Sequence, residues 1–240
     1  MARDDSRSGA QYQEIATAAV ADAAVRHQRA LRLGPVGLRS VIPGSVVAGR
    51  ALPVRHVGSV DVFLEALERA GGDARGRVLV IDNDGRLDEG CIGDLVALEC
   101  AAAGIAAVVV WGLHRDTAEL RRIGLPVFSL GTLSAGPRRE DPRPADAFDR
   151  ATLGEIVVTA DDTVFVDDDG LIAVSAADID AVVETAREIV VTERAQADRA
   201  RAGTSLRDQF GFADYLRARA EDPSVTFRRH LRDRQASIEE

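Results

Sequence analysis

Three charged side chains at fixed spacing carry the clearest chemistry in this chain: Asp94, then, after twenty intervening residues, the pair Arg115-Asp116. A guanidinium grips a carboxylate through a bidentate fork, and an adjacent carboxylate can hold a divalent cation. Together they suit a small 2-oxo acid whose enolate must be stabilised. The stretch between them parses as a helix opening at Gly93-Asp94, a cap at Gly104, a buried strand over Ile105–Trp111 and a turn that presents Arg and Asp side by side. Short connections let both clusters fold back onto one end of a sheet.

The same residues admit a plainer reading. Asp116 before Thr117-Ala118-Glu119-Leu120 makes a good helix N-cap, and Asp94 does the same after Gly93. The functional reading gains because both clusters would be helix N-termini at one edge of the sheet, where free backbone N–H groups favour an anion. His114 stands next to the pair and can shuttle protons in principle. Glu193, in Val191-Thr192-Glu193-Arg194, reads by pattern as a solvated helix charge.

Asp167-Asp168-Asp169-Gly170 lacks the spaced ligands and terminal Glu of a calcium loop and reads as a hairpin turn. Cys91 and Cys100 fit neither a redox Cys-x-x-Cys nor a zinc knuckle. Every basic residue is Arg, so no lysine Schiff base can form. Carbon–carbon chemistry beside a carbonyl then calls for a metal as electron sink. Neither GxGxxG nor a Walker loop is present.

The 240 residues suffice for one sizeable core, and 30 basic against 39 acidic residues leave a formal charge of −9. That balance argues against nucleic acid as the main partner. No apolar run reaches membrane length and the first residues lack the apolar stretch of a secretory signal, so a cytoplasmic protein without a membrane partner is expected.

These elements must position the charges. Gln11 to Leu33 predicts a helix, stopped by Gly34-Pro35-Val36-Gly37, and Val46 to Val54 a strand. Val60 to Ala70 predicts a helix and Arg77 to Asp82 a buried strand, followed by a loop from Asp84 to Gly93. After the helix Asp94 to Ala103 and its strand come a short helix, Thr117 to Ile123, and a strand, Pro126 to Leu130. This alternation implies parallel crossovers. The Pro-, Arg- and Asp-rich run from Ala135 to Asp149 reads as an exposed excursion. Short strands over 155–159, 163–166 and 171–174 precede a long helix from Ala176 to about Ala202. The organisation expected is a single α/β domain over 1–204 and a charged, helical C-terminal extension over 205–240.

Asp94, twenty residues, then Arg115-Asp116 resembles the signature of the RraA-like family. That family holds the class II 4-hydroxy-4-methyl-2-oxoglutarate/4-carboxy-4-hydroxy-2-oxoadipate aldolases and the regulator of ribonuclease E activity. The segments 77–82, 124–131 and 167–174 are similar to the family's strand before its glycine-rich loop, its segment after the Arg-Asp pair and its late hairpin. The resemblance covers about residues 15 to 205. It implies a layered β/β/α (swivelling-domain) fold and a homotrimer, or a hexamer built from trimers, with sites at subunit interfaces. It further implies that Gly93, Asp94, Leu95 and Val96 offer backbone N–H groups to a substrate carboxylate, that Arg115 binds the substrate, and that Asp116 holds Mg²⁺ or Mn²⁺. Glu193 looks like the glutamate that orders water from a neighbouring subunit. The activity implied is a metal-dependent aldolase or oxaloacetate decarboxylase acting through a pyruvate enolate, with Asp94 positioning a proton-relaying water. The competing expectation is a non-catalytic, protein-binding regulator.

Overall fold

The computed structural model describes Tyr12 and residues 14–234. In chain order it contains α1 (Thr17–Arg26), β1 (Arg39–Ser40), β2 (Val47–Arg55), α2 (Asp61–Ala70), a 3-10 turn (Gly71–Ala74), β3 (Val78–Ile92), α3 (Asp94–Ala102) and β4 (Ala107–His114). There follow α4 (Thr117–Ile123), β5 (Val127–Ser129), β6 (Arg150–Leu153), β7 (Ile156–Thr159), β8 (Asp162–Asp167), β9 (Gly170–Ser175) and α5 (Ile179–Arg201). Three short helices close the described chain: α6 (Leu206–Gln209), α7 (Phe212–Glu221) and α8 (Phe227–Asp233). The described residues divide into two compact units, one up to Val183 and one from Glu184, the boundary falling within α5.

The first unit is built on a seven-stranded sheet in the order β1-β5-β4-β3-β2-β8-β9. β2, β3, β4 and β5 are parallel; β1 pairs antiparallel with β5 at one edge, and at the other β8 pairs antiparallel with both β2 and β9. Continuous apolar runs make β3 and β4 central strands, because a strand covered on both faces needs apolar residues of both parities. Leu79, Ile81, Val108 and Val110 face one core with Phe63 of α2 and Ala97 of α3. Val78, Val80, Ala107 and Val109 face the other, beneath Ala151, Leu153 and Val158 of the separate β6–β7 ribbon. The result is the expected α/β architecture, a curled mixed sheet flanked by helices, with additional C-terminal helices.

Several local expectations are corrected. The segment predicted as a loop from Asp84 to Gly93 is the second half of β3. Asp84 and Gly85 take left-handed backbone angles, and pairing with β4 resumes through register shifts at Arg86, Gly90 and Ile92. A period-2 reading misses a strand broken by bulges. The N-terminal helix spans Thr17–Arg26, and its predicted start at Gln11 lies outside the described residues. Asp167 fixes where it begins: its buried carboxylate accepts from the Thr17 N–H at 2.8 Å and the Thr17 hydroxyl at 2.7 Å. It also accepts from Asp169 N–H at 2.9 Å, so the acid of this hairpin is committed to structure.

In the second unit, Phe210, Phe212, Tyr215, Phe227 and His230 form a chain of ring contacts that joins α6, α7 and α8. Among the described residues no helix is long and apolar enough to cross a membrane.

Candidate active site

Adjacent parallel strands deliver their C-terminal ends to the same place, and β3 and β4 each run directly into a helix. That brings Asp94 and Arg115-Asp116 together. Arg115 N–H donates to Ile92 O at 2.9 Å. Arg115 Nε lies 3.2 Å from Asp116 Oδ2, and Asp94 N–H faces that same oxygen at 3.5 Å. Asp94 Oδ1 turns back to accept the Leu95 N–H at 2.8 Å, so one of the amides expected to face a ligand is satisfied within the loop. Leu95 is 72% exposed, whereas the Val96 side chain is buried in the core and contributes only backbone here.

Asp116 does not behave as a cap. It sits at the N-cap position of α4 with φ 59° and ψ 35°, and its side chain makes no capping hydrogen bond. Its carbonyl accepts from the Glu119 and Leu120 N–H groups, which starts the helix. The left-handed region costs an L-residue about 1–2 kcal/mol, least for Asp and Asn. The carboxylate therefore stays free of α4 and points across to Gly93, Asp94 and Arg115.

Glycines shape the pocket around Arg115. A Cβ on Gly93 would lie 2.9 Å from Arg115 Nε and collide with Asp116 Oδ2, one on Gly90 would lie 3.1 Å from Arg115 Cβ, and one on Gly136 would lie 2.9 Å from Arg115 Nη1. Gly136 belongs to the predicted excursion, which is tied down rather than loose. Arg139 donates from Nε and Nη2 to the buried Glu89 carboxylate at 3.0–3.2 Å and from Nη2 to Asn83 Oδ1 at 2.9 Å. Arg143 pairs with Asp61 and Glu65 of α2. Sequence reasoning missed Glu89 and Arg139; the available signal was an acid, the second of Asp88-Glu89, directly before the run Gly90-Cys91-Ile92.

His114 is held between two hydroxyls. Its Nδ1 meets Ser129 Oγ at 2.7 Å and its Nε2 meets Thr117 Oγ1 at 2.8 Å, so both ring nitrogens are occupied. Burial, and then the Arg121 charge, push its pKa below the usual range and keep it neutral. Trp111 packs against Gly85, where a Cβ would meet the indole. Burial raises both thiols, Cys100 to about 12, which removes them as nucleophiles. Glu193 lies on α5 in the second unit, where it lines a groove of about 480 Å³ with Arg194, Ala197, Asp198 and Arg201.

Among the described residues no group of three or more His, Cys, Asp or Glu side chains forms a metal cage. The donors at this corner, the Asp116 carboxylate that faces Arg115 and the Asp94 N–H, with Asp94 beside it, would fit a hard cation that keeps most of its water and takes further oxygens from a ligand.

Residues 17–173 match the RraA-like family, described as Aldolase/RraA. A putative 4-hydroxy-4-methyl-2-oxoglutarate aldolase from Alcanivorax borkumensis is 30% identical over 105 residues, which is 44% of this chain; the match spans 64% of that relative's length. RraAS2 of Streptomyces coelicolor, titled an unusual member of the RNase ES inhibitor RraA protein family, superposes with a TM-score of 0.68 at 23% identity. That match covers 81% of this chain and 97% of RraAS2, and shows the fold. The RNA-processing inhibitor RraA of Thermus thermophilus is 25% identical with a TM-score of 0.54, covering 64% of this chain and 90% of its own. By its matched span and its fold, the chain belongs to the RraA-like family.

Proposed function

We propose that the chain is a divalent-cation-dependent lyase that cleaves a small 2-oxo acid through a pyruvate enolate. One observation carries this reading: Asp116 holds a left-handed backbone, leaves its own helix uncapped, and sets its carboxylate 3.2 Å from Arg115 Nε. In this reading Arg115 clamps the substrate carboxylate through its free Nη edge and balances charge that develops on the enolate. Asp116, with Asp94 beside it, would hold Mg²⁺ or Mn²⁺. When bound, the cation supplies Lewis acidity at the 2-oxo group. Asp94, half in solvent at the start of α3, holds a water and passes a proton through it. Leu95 and Leu98, 72% and 50% exposed at the site's mouth, suit burial in a homotrimer or hexamer, with Glu193 of a neighbouring copy ordering water.

The test is pyruvate release from a panel of 2-oxo acids, oxaloacetate included, with Mg²⁺ and with Mn²⁺. EDTA should abolish turnover and either cation should restore it. Full activity in a metal-free preparation would overturn the mechanism.

A second reading, a protein-binding regulator that performs no chemistry, draws support from the lack of a three-ligand cluster among the described residues and from the inhibitor relative in Thermus thermophilus. On present comparisons it is the better supported of the two. It requires that no 2-oxo acid in the panel yields pyruvate with either cation.

A further inference from the structure

We propose that Glu89 and Arg139 are positioning residues for Arg115: their buried ion pair ties the loop that carries Gly136 against the Arg115 guanidinium and so sets where its fork points. The inference rests on the reading of Arg115 as the carboxylate-binding residue.

The Arg115 side chain runs through a slot of backbone. Gly90 and Gly93 line its stem from β3 and the start of α3, and these walls come with the sheet. The wall at Nη1 is Gly136, which lies outside any helix or strand. What holds Gly136 is the chain on either side of it. Before it, Gly90 N–H donates to Ala135 O at 2.7 Å. After it, Arg139 is anchored to Glu89, Asn83 and Asp141, and Asp141 N–H donates to Val57 O at 2.9 Å. The Arg139 carbonyl also lies so close over Gly58 that no side chain fits there.

Fold stability alone is a poor account of this cluster. Glu89 is a carboxylate with only 4% of its side chain exposed, and such a charge is expensive to bury even when paired. His56 Nε2, Asn83 Nδ2 and Arg86 Nε are buried in the same region without a hydrogen bond among the described residues, although Arg86 Nε lies 3.8 Å from Glu89 Oε2. A loop needing only closure would be served by apolar packing. A charged pair instead fixes register, since Arg139 meets Glu89 through a planar Nε/Nη2 edge that tolerates one orientation. An open cavity of about 420 Å³ is lined by Glu89 and Arg139 together with Arg86, Asp88, Arg138 and Gly136. Gly136 thus borders both this cavity and the Arg115 guanidinium.

The full-length chain tests this directly by ¹⁵N-edited NMR of arginine Nε–H groups, with the Arg115 signal assigned by its loss in Arg115→Lys. In the wild type that signal should be ordered and protected from solvent exchange. Arg139→Lys and Glu89→Gln should each broaden it or speed its exchange. Gly136→Ala, which pushes on Nη1 without touching the clamp, should shift it. In parallel, oxalate titrations with Mn²⁺ should show dissociation constants raised roughly 10- to 100-fold in Arg139→Lys and Glu89→Gln, the range typical for partners that orient a ligand-binding group. An unchanged Arg115 signal in a folded Arg139→Lys protein would overturn the proposal, whatever happens to melting temperature. Should Glu89→Gln fail to fold, Arg139→Lys and Gly136→Ala still decide it. If wild-type protein binds no oxalate, the proposed substrate class fails, while the NMR arm still reports whether the pair positions Arg115.

Discussion

A single methyl group at position 93 should separate the stability of this fold from the geometry of its corner. Gly93 has φ −133° and ψ −167°, extended backbone that any residue adopts, so alanine brings no strain. At compatible positions Gly→Ala stabilises by about 0.4–1 kcal/mol, because the unfolded chain loses freedom. The new Cβ would nevertheless stand 2.9 Å from Arg115 Nε, where ordinary contact begins near 3.4 Å, and nearer still to Asp116 Oδ2. Nε must retreat by about 0.5 Å and the carboxylate oxygen by more, and misplacement on the order of 1 Å costs about 10²-fold in rate. Gly93→Ala is therefore expected to melt at or slightly above the wild-type temperature while losing roughly 10- to 100-fold in kcat/KM, about 1.4–2.7 kcal/mol of transition-state binding. Pyruvate release, Mn²⁺ affinity by calorimetry and thermal melts on the same two proteins check it. Wild-type turnover and cation affinity in a folded Gly93→Ala protein would refute the placement of the site.

Asp116→Asn keeps a residue that tolerates the left-handed backbone, so the melt should move by only a few tenths of a kcal/mol while Mn²⁺ affinity and turnover collapse. Arg115→Lys preserves charge but loses the planar fork, and about 10²-fold or more in catalytic efficiency should go with it. Burial holds the folded-state pKa of both His56 and His114 below 6.5, so the unfolded chain takes up protons that the folded chain refuses. Their contribution to stability is complete above 6.5 and is lost as pH falls from there toward the folded values. Thermal melts should decline across that window, with a shallower slope in His114→Gln. Leu95→Asp places a charge on the most exposed leucine beside the site, and light scattering should show a trimer or hexamer falling to smaller species.

The parts legible in the sequence were those governed by local pattern. Thr117–Ile123 appears as predicted, ended by Gly124 in a left-handed C-cap although Asp116 does not cap its start, and the alternation from 77 to 130 announced parallel crossovers. The corner of Gly93, Asp94, Arg115 and Asp116 follows from that topology. The second half of β3 was hidden because its pairing breaks three times, and β1, two residues long, is a strand only through its neighbour Phe128-Ser129. Glu89–Arg139 spans 50 residues, a separation at which local pattern carries no information. The surroundings of His114 were not legible, because its contacts with Ser129 and Thr117 depend on how β5 and α4 pack against β4.

Two arginines a short distance apart in this fold are used in opposite ways, and the contrast bears on function. Arg139 commits Nε, Nη1 and Nη2 to Glu89, Asn83 and Asp141, and its side chain is only 16% exposed. Arg115 touches Asp116 through Nε alone, and its two Nη groups have no protein partner among the described residues. With 45% and 36% of their side chains exposed, Arg115 and Asp116 form a pair worth about 0–1 kcal/mol, too little for stability to account for it. Holding Arg115 by backbone walls rather than by carboxylates restricts its rotamers and leaves its donors unfilled. On the function proposed above, a preorganised guanidinium with an empty planar edge would receive an anion from outside the chain, and the same edge would serve whether that anion is a 2-oxo acid or a carboxylate of a bound protein.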